Sequence, residues 1–177
     1  MAKKKTVNTN KSSIITYEGN VSLKLVRNGN IIKKSTIKNN GVNELFYGIA
    51  EWLTSEGSQI RKPNYLGIGN GEGGTTVDLN SLINEYSGKR VGLTGKYFTI
   101  NEDNNGYIAN FTATITYASI GGSPIKEIGL FGTISTDSLL ARITTPGDGS
   151  GIILPIGTDL IIDWSILVKN QFNGGTI

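Results

Sequence analysis

Whatever chemistry this chain offers rests on three carboxylates. Glu127 stands before Ile128-Gly-Leu-Phe131, Asp163 before Trp164, and Glu85 a few residues ahead of Lys89-Arg90, so the first two lie among core-type residues. Two carboxyl groups held several ångströms apart in a cleft can divide acid and base work, as in glycoside hydrolysis. A glycosidase using Glu127 with Asp163 or Glu85 is therefore one reading. The other is that each projects from the outer face of its strand or caps backbone amides in a neighbouring loop. No substrate-binding pattern accompanies the carboxylates, and the second reading is the expectation.

Absent residue types narrow the chemistry further. The sequence has no Cys and no His, which excludes Ser-His-Asp and Cys-His hydrolases and removes the usual zinc ligands and any disulfide framework. Carboxylate, lysine and oxygen-ligated metal chemistry remain. Two motifs imitate binding sites. Gly69, Gly71 and Gly74 have the spacing of a dinucleotide-binding turn, but that turn needs a helix at the third glycine and a second parallel strand. Thr75 to Asp78 opens only a short, weakly periodic stretch, so a flexible glycine loop at a sheet edge is expected. Asn101, Asp103, Asn105 and Gly106 match the start of a calcium loop, yet its twelfth position, which calls for a bidentate Glu, is Thr112. That segment reads as a hairpin turn, and Gly147-Asp-Gly-Ser-Gly151, with its single acid, reads as a turn as well. No catalytic, cofactor-binding or metal residue is assigned, and no cofactor is expected.

The elements available to position these groups are strands. Frequent Gly, Asn, Thr, Ser and Ile favour strands and tight turns over long helices. Leu160, Ile162, Trp164, Ile166 and Val168 alternate with Asp163, Ser165 and Lys169, which predicts a strand over 159–168 with one heavy face. Apolar runs predict strands over 125–131 and 139–144. Shorter ones are expected over 14–17 and 21–25, then 31–37 after an Asn28-Gly29 hairpin turn, and again over 65–68, 93–100 and 107–117. One helix is predicted over 41–55, where Val42, Leu45, Phe46, Ile49, Trp52 and Leu53 recur at spacings of three and four between an Asn39-Asn40-Gly41 cap region and Gly57. The expected fold is mainly β: a two-layer antiparallel β-sandwich of Greek-key or jelly-roll type with one amphipathic α-helix near residues 41–55 packed against it.

Charge divides the 177 residues into a basic arm, 1–13, and one sandwich domain, 14–177. Lys3, Lys4, Lys5 and Lys11 alone exceed the net charge of +3 by one, so the remainder is nearly neutral. The arm has too little apolar surface to order by itself and is a candidate partner contact; a dozen extended residues reach about 40 Å. Lys24, Arg27, Lys33, Lys34 and Lys38 line the first hairpin, but without interleaved aromatics for base stacking nucleic acid is not an expected partner. No apolar run approaches the roughly 20 residues of a membrane span, and Met-Ala-Lys-Lys-Lys leads into no hydrophobic segment, so no membrane partner is expected and the protein is expected to stay in the cytosol until assembly or lysis.

The C-terminal two-thirds follow a recognisable order. Tyr65-Leu-Gly-Ile-Gly-Asn-Gly71 comes first, then Leu82 and Glu85 before Lys89-Arg90, then the Thr-rich strand Phe111 to Tyr117. Ile125-Lys-Glu-Ile-Gly-Leu-Phe-Gly132, Leu139-Leu-Ala-Arg-Ile143 and Leu154-Pro-Ile-Gly-Thr-Asp-Leu-Ile-Ile-Asp-Trp-Ser-Ile166 complete it. In this order the chain resembles small β-sandwich virion structural proteins of tailed bacteriophages, of the capsid-decoration, head-fibre or tail-accessory type. The resemblance covers 65–168 and leaves 1–64 aside. It implies a non-enzymatic virion protein that docks as a repeated subunit on the capsid or head-to-tail region. It also implies capsid, portal or tail components and further copies of the chain as partners, in the virion and, during assembly, the host cytoplasm. It supplies no catalytic residues. The competing function is a receptor- or carbohydrate-binding tail module, in which exposed Tyr and Trp would stack on sugar rings; Trp52 and Trp164 both read as core residues instead.

Overall fold

Alternation along the last strand builds the larger of two sheets. The computed structural model describes residues 13–41, 45, 62–76, 78–101, 106–134, 137–145 and 149–172. Among these, the strands in chain order are β1 (Ser13–Arg27), β2 (Asn30–Gly41), β3 (Tyr65–Gly69), β4 (Val91–Gly92), β5 (Gly95–Asn101), β6 (Gly106–Thr116), β7 (Glu127–Phe131), β8 (Leu139–Thr144) and β9 (Asp159–Phe172). A single helical turn, α1 (Tyr117–Ile120), follows β6 and ends on Gly121 in the left-handed region, φ 59°. All pairings are antiparallel. One sheet has the order β2-β1-β9-β6-β5 and the other β4-β3-β7-β8, and they pack face to face as a sandwich that is not closed into a barrel.

β2 is the corner. Its first part pairs with β1, and its last two residues leave that sheet to pair Asn40 with Arg142 and Gly41 with Ala141 of β8. The cap region expected at Asn39-Asn40-Gly41 is therefore strand. Of the helix predicted over 41–55, Gly41 ends β2 instead, Leu45 is helical and buried, and 42–44 and 46–55 lie outside the described residues. The arm lysines Lys3, Lys4, Lys5 and Lys11 lie outside them too, and Ser13 already pairs with Phe172 across β1 and β9. The segments expected as two short strands over 14–25 form one continuous β1, because β9 pairs along its whole length, straight through Glu18, Gly19 and Asn20. The strand expected over 93–100 forms as β5, starting at Gly95; the short β4 precedes it, and between the two the N–H groups of Leu93 and Thr94 go to the Asn64 and Thr112 carbonyls. The Asn28-Gly29 turn forms as expected, with both residues at positive φ, 51° and 78°, as a type I′ hairpin requires.

The two sheets bury their residues differently. On the larger sheet Val21 and Leu23 of β1, Ala113 and Ile115 of β6, and Leu160, Ile162 and Trp164 of β9 share the inward face in register. Lys24, Lys34, Thr112 and Asp163 share the outward one. Lys33 leaves the expected polar row, since it pairs with inward-facing Leu25. On the smaller sheet β7 is buried on both faces. Ile128 and Leu130 join Leu66, Ile68 and Ile143 in the main core, while Phe131 and Leu139 form a second cluster with Leu82 on the other side. A strand buried on both faces needs a run of apolar residues rather than alternation, which is what 128–131 supplies.

At the corner, Tyr17 of β1 accepts a hydrogen bond at 2.7 Å from Asn39 Nδ2 of β2. Asn39 lies over Gly19, where a Cβ would coincide with its Oδ1. Burial pushes the Tyr17 phenol up to about 12, with the Asn39 hydrogen bond acting more weakly in the opposite sense. The folded chain thus holds this proton to higher pH than the unfolded chain, whose tyrosines titrate near their ordinary value of about 10. Its contribution is complete below pH ~10 and is lost as pH rises towards 12, at about 1.4 kcal/mol per pH unit. Urea unfolding at stepped alkaline pH should show this fall in wild type and a shallower one in Tyr17→Phe; equal slopes would refute the assignment.

Candidate functional site

The carboxylates singled out by residue type do not form one site. Glu127 and Glu85 lie on the outer side of the smaller sheet, where both pair with Gly69. Asp163 lies on the outer side of the larger sheet, in register with Ser22 and Thr112. Two layers of core side chains separate them, and packed sheets stand about 10 Å apart. Asp163 is occupied where it stands, by Lys24 Nζ at 2.6 Å and by the Thr112 hydroxyl at 2.9 Å. A Glu127–Asp163 pair acting on one substrate is thus excluded by geometry.

Glu127 is the centre of a buried polar cluster. It begins β7 with a side chain wholly shielded from solvent, as is that of Arg142 on the neighbouring strand β8. Arg142 Nε donates to Glu127 Oε2 at 2.8 Å. Oε2 also accepts the Ile83 N–H at 3.0 Å, and Oε1 accepts the N–H groups of Gly71 at 3.0 Å and Asn84 at 2.7 Å. Arg142 Nη1 continues the network to the Gly73 carbonyl at 3.0 Å and Thr75 Oγ1 at 3.3 Å. The expectation that Glu127 caps amides in a neighbouring loop is realised, and the loop is the glycine segment after β3 together with the turn at 83–84.

That cluster explains the glycines. A Cβ at Gly69 would stand 2.6 Å from Glu127 Oε1 and collide with the Asn84 carbonyl, and one at Gly71 would strike the same carboxylate oxygen. Gly67 and Gly129 face Phe131 at 2.7 and 2.8 Å in the same way. The outer face of the smaller sheet is a trough lined by glycines, filled by Glu127, Phe131, Leu82 and Glu85 and roofed by residues 70–71 and 82–85. The glycine loop leaves β3, an internal strand between β4 and β7, so its place is inside the sheet rather than at its edge. Among the described residues no parallel strand adjoins it, and its N–H at Gly71 is spent on Glu127.

Glu85 is held as firmly. Arg90 grips it through two parallel hydrogen bonds, Nε to Oε1 at 2.7 Å and Nη2 to Oε2 at 2.8 Å. The same guanidinium donates to the Thr133 carbonyl and lies 3.7 Å over the Phe131 ring centroid. Beside the cluster an open cleft of about 320 Å³ is lined by Gly71 to Gly74, Lys126, Thr144 and Thr145, with Gly149 and Gly151 opposite. Its charges, Lys126 and Glu72, pair with each other, and that contact holds the Glu72 carboxyl below its ordinary value. Neither Glu127 nor Glu85 lines it. Among the described residues no group of three or more acidic side chains could hold a metal ion. At the calcium-like stretch, Asn101 pairs with Gly106 to end the β5–β6 hairpin, and 102–105 lie outside the described residues.

Two residues of the cluster escaped sequence reasoning. Arg142 stands in Leu139-Leu-Ala-Arg-Ile143, where an arginine in an unbroken apolar strand demands a buried anion; that was the available signal. Arg90 gave none beyond its proximity to Glu85. No family model matches the chain, and no curated protein or solved structure matches it.

A buried ion pair whose anion also saturates three amides cannot be replaced piecemeal. Arg142→Met leaves an uncompensated buried carboxylate, and Glu127→Gln turns an NH₂ group towards N–H donors; each should cost about 3–5 kcal/mol in chemical denaturation. Unlike a simple ion pair, the double variant Glu127→Leu/Arg142→Met should remain destabilised by at least about 3 kcal/mol, because three loop amides stay orphaned. A double variant within ~1 kcal/mol of wild type would show that the amides matter little.

Proposed function

We propose that this chain is a non-enzymatic virion structural protein of a tailed bacteriophage, docking as a repeated subunit on the capsid or head-to-tail region. The observation that carries the non-enzymatic part is the state of Glu127: fully buried, with both oxygens taken by Arg142 and three backbone amides, so it has neither access to a substrate nor a free lone-pair direction for a proton. The other two carboxylates are committed to Arg90 and to Lys24 and Thr112. What suggests a virion is the ordered set of short motifs from Tyr65 to Ile166, and the geometry gives those motifs a shared purpose. Gly67 to Gly71, Glu85, Arg90, Glu127 to Phe131 and Arg142 are the parts of one structural cluster rather than scattered similarities.

Trp164 is a core residue, as expected, at 1% exposure, and so offers the carbohydrate-binding reading no stacking surface; Trp52 lies outside the described residues. In the proposed role the capsid, portal or tail contacts are made by surfaces, with no cofactor. Mass spectrometry of purified particles of the phage that encodes this chain should find it in many copies per particle. Its absence from purified particles, with the protein present in the lysate, would overturn the proposal.

A further inference from the structure

The free edge of the larger sheet is unlike the molecule's other edges. Among the described residues β5 pairs only with β6, so one side of its seven residues carries main-chain N–H and C=O groups with no strand beside them. Proteins blunt such edges with lysine, proline, bulges or brevity. The other edges here are defended in this way: β4 has two residues, and the open side of β2 carries exposed Lys33, Lys34 and Lys38 next to a register shift. β5 has no proline and an unbroken register, and its one lysine, Lys96, donates to Asn64 Oδ1 at 2.7 Å.

What β5 presents is apolar. Tyr97, Phe98 and Ile100 are 59, 73 and 67% exposed, and Tyr107 beside them on β6 is 61% exposed. The register puts Phe98, Ile100 and Tyr107 on the face that carries Trp164 and Ile166, and Tyr97 on the opposite face. Apolar surface therefore flanks the open edge on both sides.

We infer that β5 is a two-fold interface between copies of this chain, the two strands pairing antiparallel about an axis near Phe98 and joining the larger sheets of two protomers into one. Three observations favour a second copy over a foreign strand. Pairing about Phe98, the middle residue of β5, sets Tyr97 opposite Thr99 and Lys96 opposite Ile100, so aromatic meets β-branched and no like charges face each other. Four large side chains exposed to this degree contribute roughly 500 Å² between them, which with the main chain and flanking residues approaches the ~800 Å² per partner of a stable interface. The net charge of +3 is small and outside residues 1–11 the chain is nearly neutral, so repulsion between two copies is weak. The inference rests on this edge and not on the virion role: a monomeric chain would overturn it and leave particle location open, whereas absence from particles would leave it untouched.

The lack of native cysteine makes the test direct. Directly opposed residues of an antiparallel pair have Cα atoms about 4.5–5.5 Å apart, within disulfide reach. The full chain should sediment at twice 18.9 kDa. Phe98→Cys should oxidise to a covalent dimer, while Ile156→Cys, 78% exposed in the loop before β9, should not under the same conditions. Phe98→Lys/Ile100→Lys should associate at least ~100-fold more weakly, with an unchanged circular dichroism spectrum. A wild-type chain that remains monomeric at ~100 µM, above the dissociation constants of interfaces of this size, would overturn the inference. So would a lysine variant that dimerises as well as wild type, or a Phe98→Cys variant that dimerises without cross-linking.

Discussion

A carboxylate taken wholly out of water must have its oxygens filled, and in this molecule that requirement fixes one side of the sandwich. Removing an ion from water costs several kcal/mol, and Glu127 recovers it only through Arg142 and the amides of Gly71, Ile83 and Asn84 together. Those donors come from β8, from the loop after β3 and from the turn before β4. One side chain thus gathers segments that no hydrophobic periodicity would bring together. The glycines at 69 and 71 follow from the same requirement, since a Cβ at either would displace the carboxylate or its roof, while those at 67 and 129 make room for the Phe131 ring.

The larger sheet depends on a different constraint. β9 lies between β1 and β6 and pairs with both along nearly its whole length, so the residues at 160, 162, 164 and 166 set the inward face for three strands. β2 then leaves this sheet at Asn39 to join β8, and the Tyr17–Asn39 contact over Gly19 marks the point of departure. The sandwich is linked at that corner and open at β5.

How much of this could be read from the sequence follows from the kind of interaction involved. β9, β7 and β8 were legible because side chains alone declare them, by alternation in one case and by apolar runs in the others. The hairpin at Asn28-Gly29 was legible because few residue pairs accept two positive φ angles in succession. The continuity of β1 was not, since Glu18-Gly19-Asn20 looks like a turn and is held straight by β9. The role of Glu127 was visible only as one alternative, because three of its four partners are backbone N–H groups that any residue could supply. The helix over 41–55 falls largely outside the described residues, and Leu45 is its one buried trace.

Glu127 thus moves from a possible acid or base to the anchor of a loop, and the proposed structural role rests on that change. Amide hydrogen exchange of the folded wild-type chain tests it most directly. If the carboxylate is the anchor, the N–H groups of Gly71, Ile83 and Asn84, all in irregular segments, should exchange as slowly as strand amides of β7 and β8, through global opening. Exchange of these three amides at rates typical of open loops, while β7 and β8 stay protected, would contradict it.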